Sequence, residues 1–292
     1  MDINLLHGDC LELMKDIPDK SIDAIVTDPP YLYLKHKLDR DFDEQAVFAE
    51  WDRIVKDDGF IVIFGRGESF HRWNYLLNNL DWKFKEEVIW NKRYSSSPAL
   101  PISRMHETVS LLSKKGKVKK VKVPYMEQKQ YQLDRMKADL KRIISGLGNP
   151  KSLADMIDFL DNENYKLTPN LEHKTKYGTT ISASFKGADR ATETIKSMVV
   201  GQNEQSIIEV PRDGRKSIVH PTQKPVRLME RLIALVSDEG SAVLDPFMGS
   251  GSTGVAAINL NRNFIGYEID DEYFEIAKER IEKAQLVIES GD

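Results

Sequence analysis

The stretch that most limits how this chain can fold is a glycine-rich turn between a short apolar run and a helical pattern near the carboxyl end. Residues 241–244 read as a strand that runs directly into Asp245-Pro246-Phe247-Met248-Gly249-Ser250-Gly251-Ser252-Thr253-Gly254, and a helix is predicted from about Ser252. Gly249, Gly251 and Gly254 take the spacing G-x-G-x-x-G, and a second strand, predicted over 263–267, ends in Glu268-Ile269. In an open α/β sheet this unit binds an adenosine-containing cofactor: the glycines let the backbone approach the ligand, and the carboxylate accepts hydrogen bonds from the ribose hydroxyls. A glycine turn that only packs a helix on a strand is the plainer alternative.

Asp245 discriminates among such cofactors. It stands at the carboxyl end of its strand, where a dinucleotide would place its pyrophosphate, and a carboxylate there repels that anion. S-adenosylmethionine has no phosphate and carries a sulfonium and an ammonium, which the same charge attracts. The methyl donor is therefore the expected cofactor, and a nicotinamide dehydrogenase is disfavoured.

The rest of the chain alternates in the same style. Strands are predicted over 3–6, 21–27, 60–64, 83–90 and 108–112, with helices over 43–56, 68–79 and 226–236 and a last helix capped by Asp270. The nearly all-apolar run at 21–27 suits a sheet covered on both faces. At roughly 100–200 residues per domain, 292 residues make one large domain, or one domain with an insertion. Between about 116 and 215 the alternation fails. A helix over 128–147 places Leu133, Met136, Leu140, Ile143, Ile144 and Leu147 on one face, Gly146-Leu147-Gly148-Asn149-Pro150 ends it, and 152–160 offers a second helix. Residues 162–213 are polar and poorly periodic, with one strand at 206–210. The expected organisation is one Rossmann-like α/β domain in two halves, 1–115 and 216–292, with 116–215 inserted. The two inserted helices read either as a DNA-reading pair or as core-packing helices.

Net charge hides a local asymmetry. The whole chain carries −4, yet residues 91–142 hold fourteen basic and four acidic residues. Lys114, Lys115, Lys117, Lys119, Lys120, Lys137, Lys141 and Arg142 are the candidates there for holding a phosphate backbone, with a solvated lysine-rich surface as the alternative. Cys10 is the only cysteine and no signal peptide or apolar span of membrane length is present, so a reducing cytoplasm is expected. The six histidines show no metal-ligand spacing, and no metal site is expected.

Asp28-Pro29-Pro30-Tyr31 follows the buried strand at 21–27, so its side chains project from a carboxyl edge of the sheet. Two prolines fix two torsions and remove two donors, leaving rigid carbonyl acceptors. A carboxylate, a carbonyl and an aromatic ring on one stiff turn match a planar base with an exocyclic amine: two acceptors for its N–H groups and a face for stacking.

Together with Asp245-Pro246-Phe247-x-Gly249-Ser250-Gly251 and His220-Pro221-Thr222-Gln223-Lys224-Pro225, that turn resembles the DNA amino-methyltransferases that modify adenine N6 or cytosine N4. The order of the motifs resembles the circularly permuted β group, with the insertion where that family keeps its target recognition region. The resemblance implies that Asp28 and the Pro29 carbonyl hold the target amine, that Pro30 stiffens the turn, and that Tyr31 stacks on a flipped base. It implies a cofactor pocket from Asp9, Cys10, Asp28, Thr222, Lys224, Asp245, Pro246, Phe247, Gly249, Ser250, Gly251, Glu268 and Ile269. Cys10 itself reads as a packing residue, and His220 as a turn-ordering one. Lys35, Lys37 and Arg40, just after the catalytic turn, are candidates to close over extruded DNA.

The implied reaction is in-line methyl transfer from S-adenosylmethionine to an adenine amine in double-stranded DNA, because family members with Asp first in the tetrapeptide are mostly adenine enzymes. A cytosine-N4 enzyme of the same fold and a catalytically silent DNA-binding protein remain alternatives; an RNA or protein-glutamine methyltransferase fits less well, since those have Asn first and the cofactor loop ahead of the turn. The resemblance also leaves open a homodimer, a cognate restriction endonuclease, and a bacterial or phage origin.

Overall fold

The computed structural model describes residues 1–31, 40–94, 101–148, 153–154, 157, 174–175, 178–179, 187–214, 219–220 and 222–290. The chain divides into two compact units, one formed by Met1–Lys120 with Gln205–Asp292 and one by Val121–Glu204.

The larger unit opens with β1 (Ile3–His7), α1 (Cys10–Met14), β2 (Ile22–Thr27), α2 (Glu44–Ile54), β3 (Val55–Gly65), α3 (Gly67–Asn79), β4 (Lys83–Asn91) and β5 (His106–Ser113). In the smaller unit follow β6 (Lys122–Val123), α4 (Tyr125–Gln128), α5 (Leu133–Leu147), β7 (Lys174–Thr175), β8 (Gly178–Thr179), α6 (Gly187–Val200) and β9 (Gln202–Asn203). The larger unit resumes with β10 (Ile207–Glu209), α7 (Val226–Val236), β11 (Ala242–Asp245), α8 (Ser252–Asn259), β12 (Asn263–Glu268) and α9 (Asp271–Ser290).

Eight strands form one sheet in the order β1-β12-β11-β2-β3-β5-β4-β10. Pairing is parallel except on the two sides of β5, which runs antiparallel to both β3 and β4. Alternation along β2 and β3 divides the core. Ile22, Ile25, Ile61 and Ile63 join Met14, Phe48, Trp51, Trp73, Leu77 and Trp82 under α1, α2 and α3, while α7 packs on β2 and β3, and α8 and α9 pack on β12. The buried indoles are satisfied where they meet acids: Trp73 Nε1 donates to Glu44 at 2.6 Å and Trp82 Nε1 to Asp52 at 2.9 Å.

From β11 the chain winds one way, through α8 to β12; from β2 it winds the other way, through α2 to β3. The switch point lies between β11 and β2, which pair in parallel through Leu244 and Ile25. The strand bearing Asp28 thus precedes the strand bearing the glycine turn, the permuted order expected, and the two lie side by side. Thr27, fully buried, closes this junction by donating to Asp245 Oδ1 at 2.7 Å.

In the smaller unit α5 forms as predicted but is turned so that only part of its apolar face, Met136 and Ile143, points inward and is half-buried. Leu133, Leu140, Ile144 and Leu147 stand exposed, and Asp139 is buried, taking the Tyr125 hydroxyl at 2.9 Å and the Lys129 ammonium at 2.8 Å. Asp139, with three donors, Arg142 among them, shares the inward side of the helix with Met136 and Ile143. Helix α6 replaces part of what the sequence presented as aperiodic: its buried side carries Ala191, Thr192 and Thr194, too small and polar to show as a hydrophobic face. The second predicted helix, 152–160, lies outside the described residues except at 153, 154 and 157. Among the described residues no helix is long and apolar enough to cross a membrane.

Candidate active site

The carboxyl ends of β1, β12, β11, β2 and β3 open on one cavity of about 870 Å³ within the larger unit. It fills the crevice at the switch point, where open α/β sheets bind ligands. Asp9, Cys10, Asp28, Pro29, Pro30, Tyr31, Thr222, Lys224, Asp245, Pro246, Phe247, Gly249, Ser250, Glu268 and Ile269 all line it.

Gly251 does not line it, and the reason is steric. It is the N-cap of α8 with φ +76°, and a Cβ there would lie 3.0 Å from Ile281 Cδ1 and 3.1 Å from Ala277. A Cβ on Gly254 would lie 2.5 Å from Ile281 Cδ1. These two glycines serve the approach of α9, not of a ligand. Gly249 is different: its φ is +52°, the space around it is open apart from the His220 ring, and its N–H donates to Glu268 Oε2 at 2.9 Å. The other oxygen of Glu268 takes the N–H groups of Ile269 and Asp270 at 3.0 and 2.9 Å. Three backbone donors therefore aim this carboxylate, and burial still holds its carboxyl above the usual range.

Asp245 is less a free charge than a clamp. It is buried, with Thr27 and Phe247 N on Oδ1 and Thr253 on Oδ2 at 2.5 Å. Burial pushes its carboxyl up to about 6 against the pull of those donors. Asp9 caps α1 by accepting from Leu11 N at 2.9 Å. Cys10 begins that helix, and burial pushes its thiol up to about 12, so it is a packing group and not a nucleophile.

His220 orders its turn: its Nδ1 meets the Thr222 N–H at 3.2 Å and the Thr222 hydroxyl at 3.1 Å, and its ring lies 4.3 Å from that of Tyr273. Tyr31 donates its hydroxyl to Asp28 Oδ1, and its ring lies 5.8 Å from that of Trp73. Phe42, which the sequence did not single out, carries this aromatic wall onward, 5.0 Å from Phe247.

The cavity is electrostatically divided along the sheet. Beyond β1, β12 and β11 stand Asp9, Asp245, Glu268 and Asp270; toward β3, β4, β5 and β10 stand Arg66, Lys92, Arg104 and Arg212, with Glu107 among them. The acidic end fits a nucleoside bearing cationic groups: apolar Phe247 and Ile269 for a flat ring, anchored Glu268 for hydroxyls, and the Ser252 hydroxyl, which is buried in this wall without a hydrogen-bond partner.

The charge candidates separate. Arg40 lines the cavity, 3.7 Å from Asp270; Lys35 and Lys37 lie outside the described residues. The expectation for Lys114 needs correcting: its ammonium reaches Asp52 at 2.5 Å beside the Trp82 ring, with the side chain only 17% exposed, because Asp52 draws it inward. Lys115 pairs with Asp57, Lys119 with Asp238, Lys137 with Asp134 and Arg142 with Asp139. Lys117, Lys120 and Lys141 are exposed.

Parallel strands wound both ways from a glycine turn, with acidic groups at the cofactor end of the crevice, define the class to which this chain belongs: methyltransferases that use S-adenosylmethionine. A family model described as DNA methylase matches residues 22–279, so the chain belongs to the DNA methylase family. Among curated relatives, the type II methyltransferase M.HinfI of Haemophilus influenzae is 29% identical over 95% of this chain and 67% of its own length. M.HpaI of Haemophilus parainfluenzae is 27% identical over 97% of this chain and 75% of its own length. Of solved structures, M1.HpyAVI in complex with SAM matches with a TM-score of 0.54 at 23% identity, covering 95% of this chain and 99% of that one. The PvuII DNA methyltransferase, cytosine-N4-specific, matches with a TM-score of 0.56 at 16% identity, covering 100% of this chain and 94% of that one. At these identities the solved structures speak for the fold.

Proposed function

We infer that this enzyme methylates the N6 amine of an adenine extruded from double-stranded DNA, at a specific sequence, with Asp28, Pro29, Pro30 and Tyr31 as its catalytic turn. The observation that carries the reading is the adjacency of that turn to the glycine loop across the β2–β11 junction. Bound S-adenosylmethionine supplies an electrophilic methyl group. The chain's own contribution is positional and electrostatic: Asp28 and the Pro29 carbonyl accept the amine's two N–H bonds, leaving its lone pair directed toward the cofactor end. The anionic Asp28 then supports the nitrogen as it becomes cationic. Tyr31, braced by Trp73 and tied to Asp28, offers its face to the base. The basic end of the cavity suits the phosphates that accompany an extruded nucleotide.

Asp at the head of the turn favours adenine over cytosine. Val121–Glu204 stands where the family keeps its target recognition region, and Lys117, Lys120 and Lys141 are proposed contacts to the DNA backbone. The bacterial type II relatives support a role beside a cognate restriction endonuclease in the cytoplasm. Nucleoside mass spectrometry tests the target: unmethylated DNA incubated with the enzyme and S-adenosylmethionine will yield N6-methyladenine. N4-methylcytosine in its place would overturn the choice of base, and no methylated nucleoside at all would leave a silent DNA-binding protein.

A further inference from the structure

The carboxylate of Asp28 is not presented to the cavity alone. While Tyr31 donates to Oδ1, the ammonium of Lys224 donates to Oδ2 from a segment 196 residues away in sequence. Behind Lys224 stands Glu107 at the start of β5, with Oε2 3.2 Å from the ammonium and Oε1 3.1 Å from Lys92 Nζ. The four side chains alternate in sign and are withdrawn from water: Lys224 is 8% exposed, Glu107 and Asp28 17%, and Lys92 3%. The face of Phe64, 4.9 Å from the ammonium, closes the remaining side.

We propose that Lys224, anchored by Glu107, is a positioning residue for methyl transfer: it fixes the rotamer and the charge of Asp28 so that the carboxylate's remaining lone pairs face the incoming amine. This rests on reading Asp28 as the group that holds that amine. A carboxylate withdrawn from water takes up a proton unless a cation stands beside it, and a protonated Asp28 would lose one acceptor and its charge. Lysine alone would neutralise the pair. Glu107 shares the ammonium from behind and is itself neutralised by Lys92, so the four side chains sum to zero and the negative charge nearest the amine is the one on Asp28. The resemblance implies a cofactor contact for Lys224, but the geometry places its ammonium on the carboxylate that serves the other substrate.

The charged and titratable groups facing Asp28 are Tyr31 on its own turn, Lys224 ahead of α7, Glu107 on β5 and Asp245 on β11. Burial raises the Asp28 carboxyl first of all; Lys224 opposes this and Glu107 adds to it. Replacing each partner therefore moves the acid limb of the rate–pH profile in opposite directions. The test is single-turnover methyl transfer against pH, with calorimetric binding of S-adenosylmethionine, for the wild type, Lys224→Gln, Glu107→Gln and Asp28→Ala.

Lys224→Gln is expected to slow transfer roughly 100-fold near neutral pH, with the gap closing as pH rises and cofactor affinity held within about 3-fold. Glu107→Gln is expected to move the limb to lower pH while lowering the plateau roughly 10-fold. A Lys224→Gln loss equal at every pH, an unchanged rate, or lost cofactor binding with an unshifted limb overturns the proposal. If Lys224→Gln does not fold, Glu107→Gln decides alone: a limb moved downward supports the proposal and an unmoved one overturns it. An active Asp28→Ala enzyme defeats the underlying reading, whereas a silent one beside an unshifted Lys224→Gln profile defeats only the positioning role.

Discussion

At the scale of single residues, the three glycines of one motif are constrained in three different ways. Gly249 has room for a side chain but not the backbone angle for one, Gly251 has neither, and Gly254 lacks the room. An alanine at Gly251 must adopt a left-handed conformation that costs about 1–2 kcal/mol and must also displace Ala277 or Ile281. Gly251→Ala is therefore expected to lower unfolding stability by roughly 2–4 kcal/mol, while Gly249→Ala costs about 1–2 kcal/mol and weakens cofactor binding. Chemical denaturation and calorimetry on the two variants separate these outcomes; equal stability losses would contradict the assignment. Asp28, Tyr31 and Asp245 were legible in sequence because each sits within a few residues of a proline or glycine turn at a strand end, and Glu268 because it ends the strand that follows the glycine turn. Glu107, Lys92 and Phe42 were not, since each gains its place from partners far away along the chain.

At the scale of elements, the junction of β2 and β11 rests on a hydroxyl and an acid. Thr27→Val removes one of the two donors to Asp245 Oδ1, leaving Phe247 N, and is expected to cost about 1–2 kcal/mol, most of it recovered in Thr27→Ser; a denaturation series reads both. The sign of the pH dependence follows from burial. The folded chain keeps the Asp245 proton up to about 6 rather than the ordinary 3.8, so this group favours the fold below the lower value. Its contribution is withdrawn as pH rises through that window. Relative to Asp245→Asn, wild-type stability measured across the window will decline with rising pH, and a parallel pair of curves contradicts the clamp.

The strands and helices of the sheet were readable because period-2 and period-3.6 patterns were strong there. Helix α6 was not, its buried side being alanine and threonine, and the inward side of α5 was only partly legible, since Met136 and Ile143 share it with the charged Asp139.

At the scale of the whole molecule, charge runs in sequence and charge in space differ. The basic stretch over 91–142 divides between the two units, and within the larger unit Asp52, Asp57, Asp238, Glu107 and Glu209 take up five of its cations. What survives as a field is the graded cavity, acidic toward β1 and basic toward β10, which no window of sequence displays because its residues come from every quarter of the chain. The central claim is that two distant turns make one site, the first gripping an amine and the second holding the methyl donor. Its most direct measurement is made on Asp28→Ala, by recording S-adenosylmethionine affinity and transfer of labelled methyl to DNA on the same preparation. The account predicts transfer reduced by roughly 1,000-fold or more with affinity nearly unchanged; transfer at the wild-type rate, or affinity and transfer lost together in a folded protein, would contradict it.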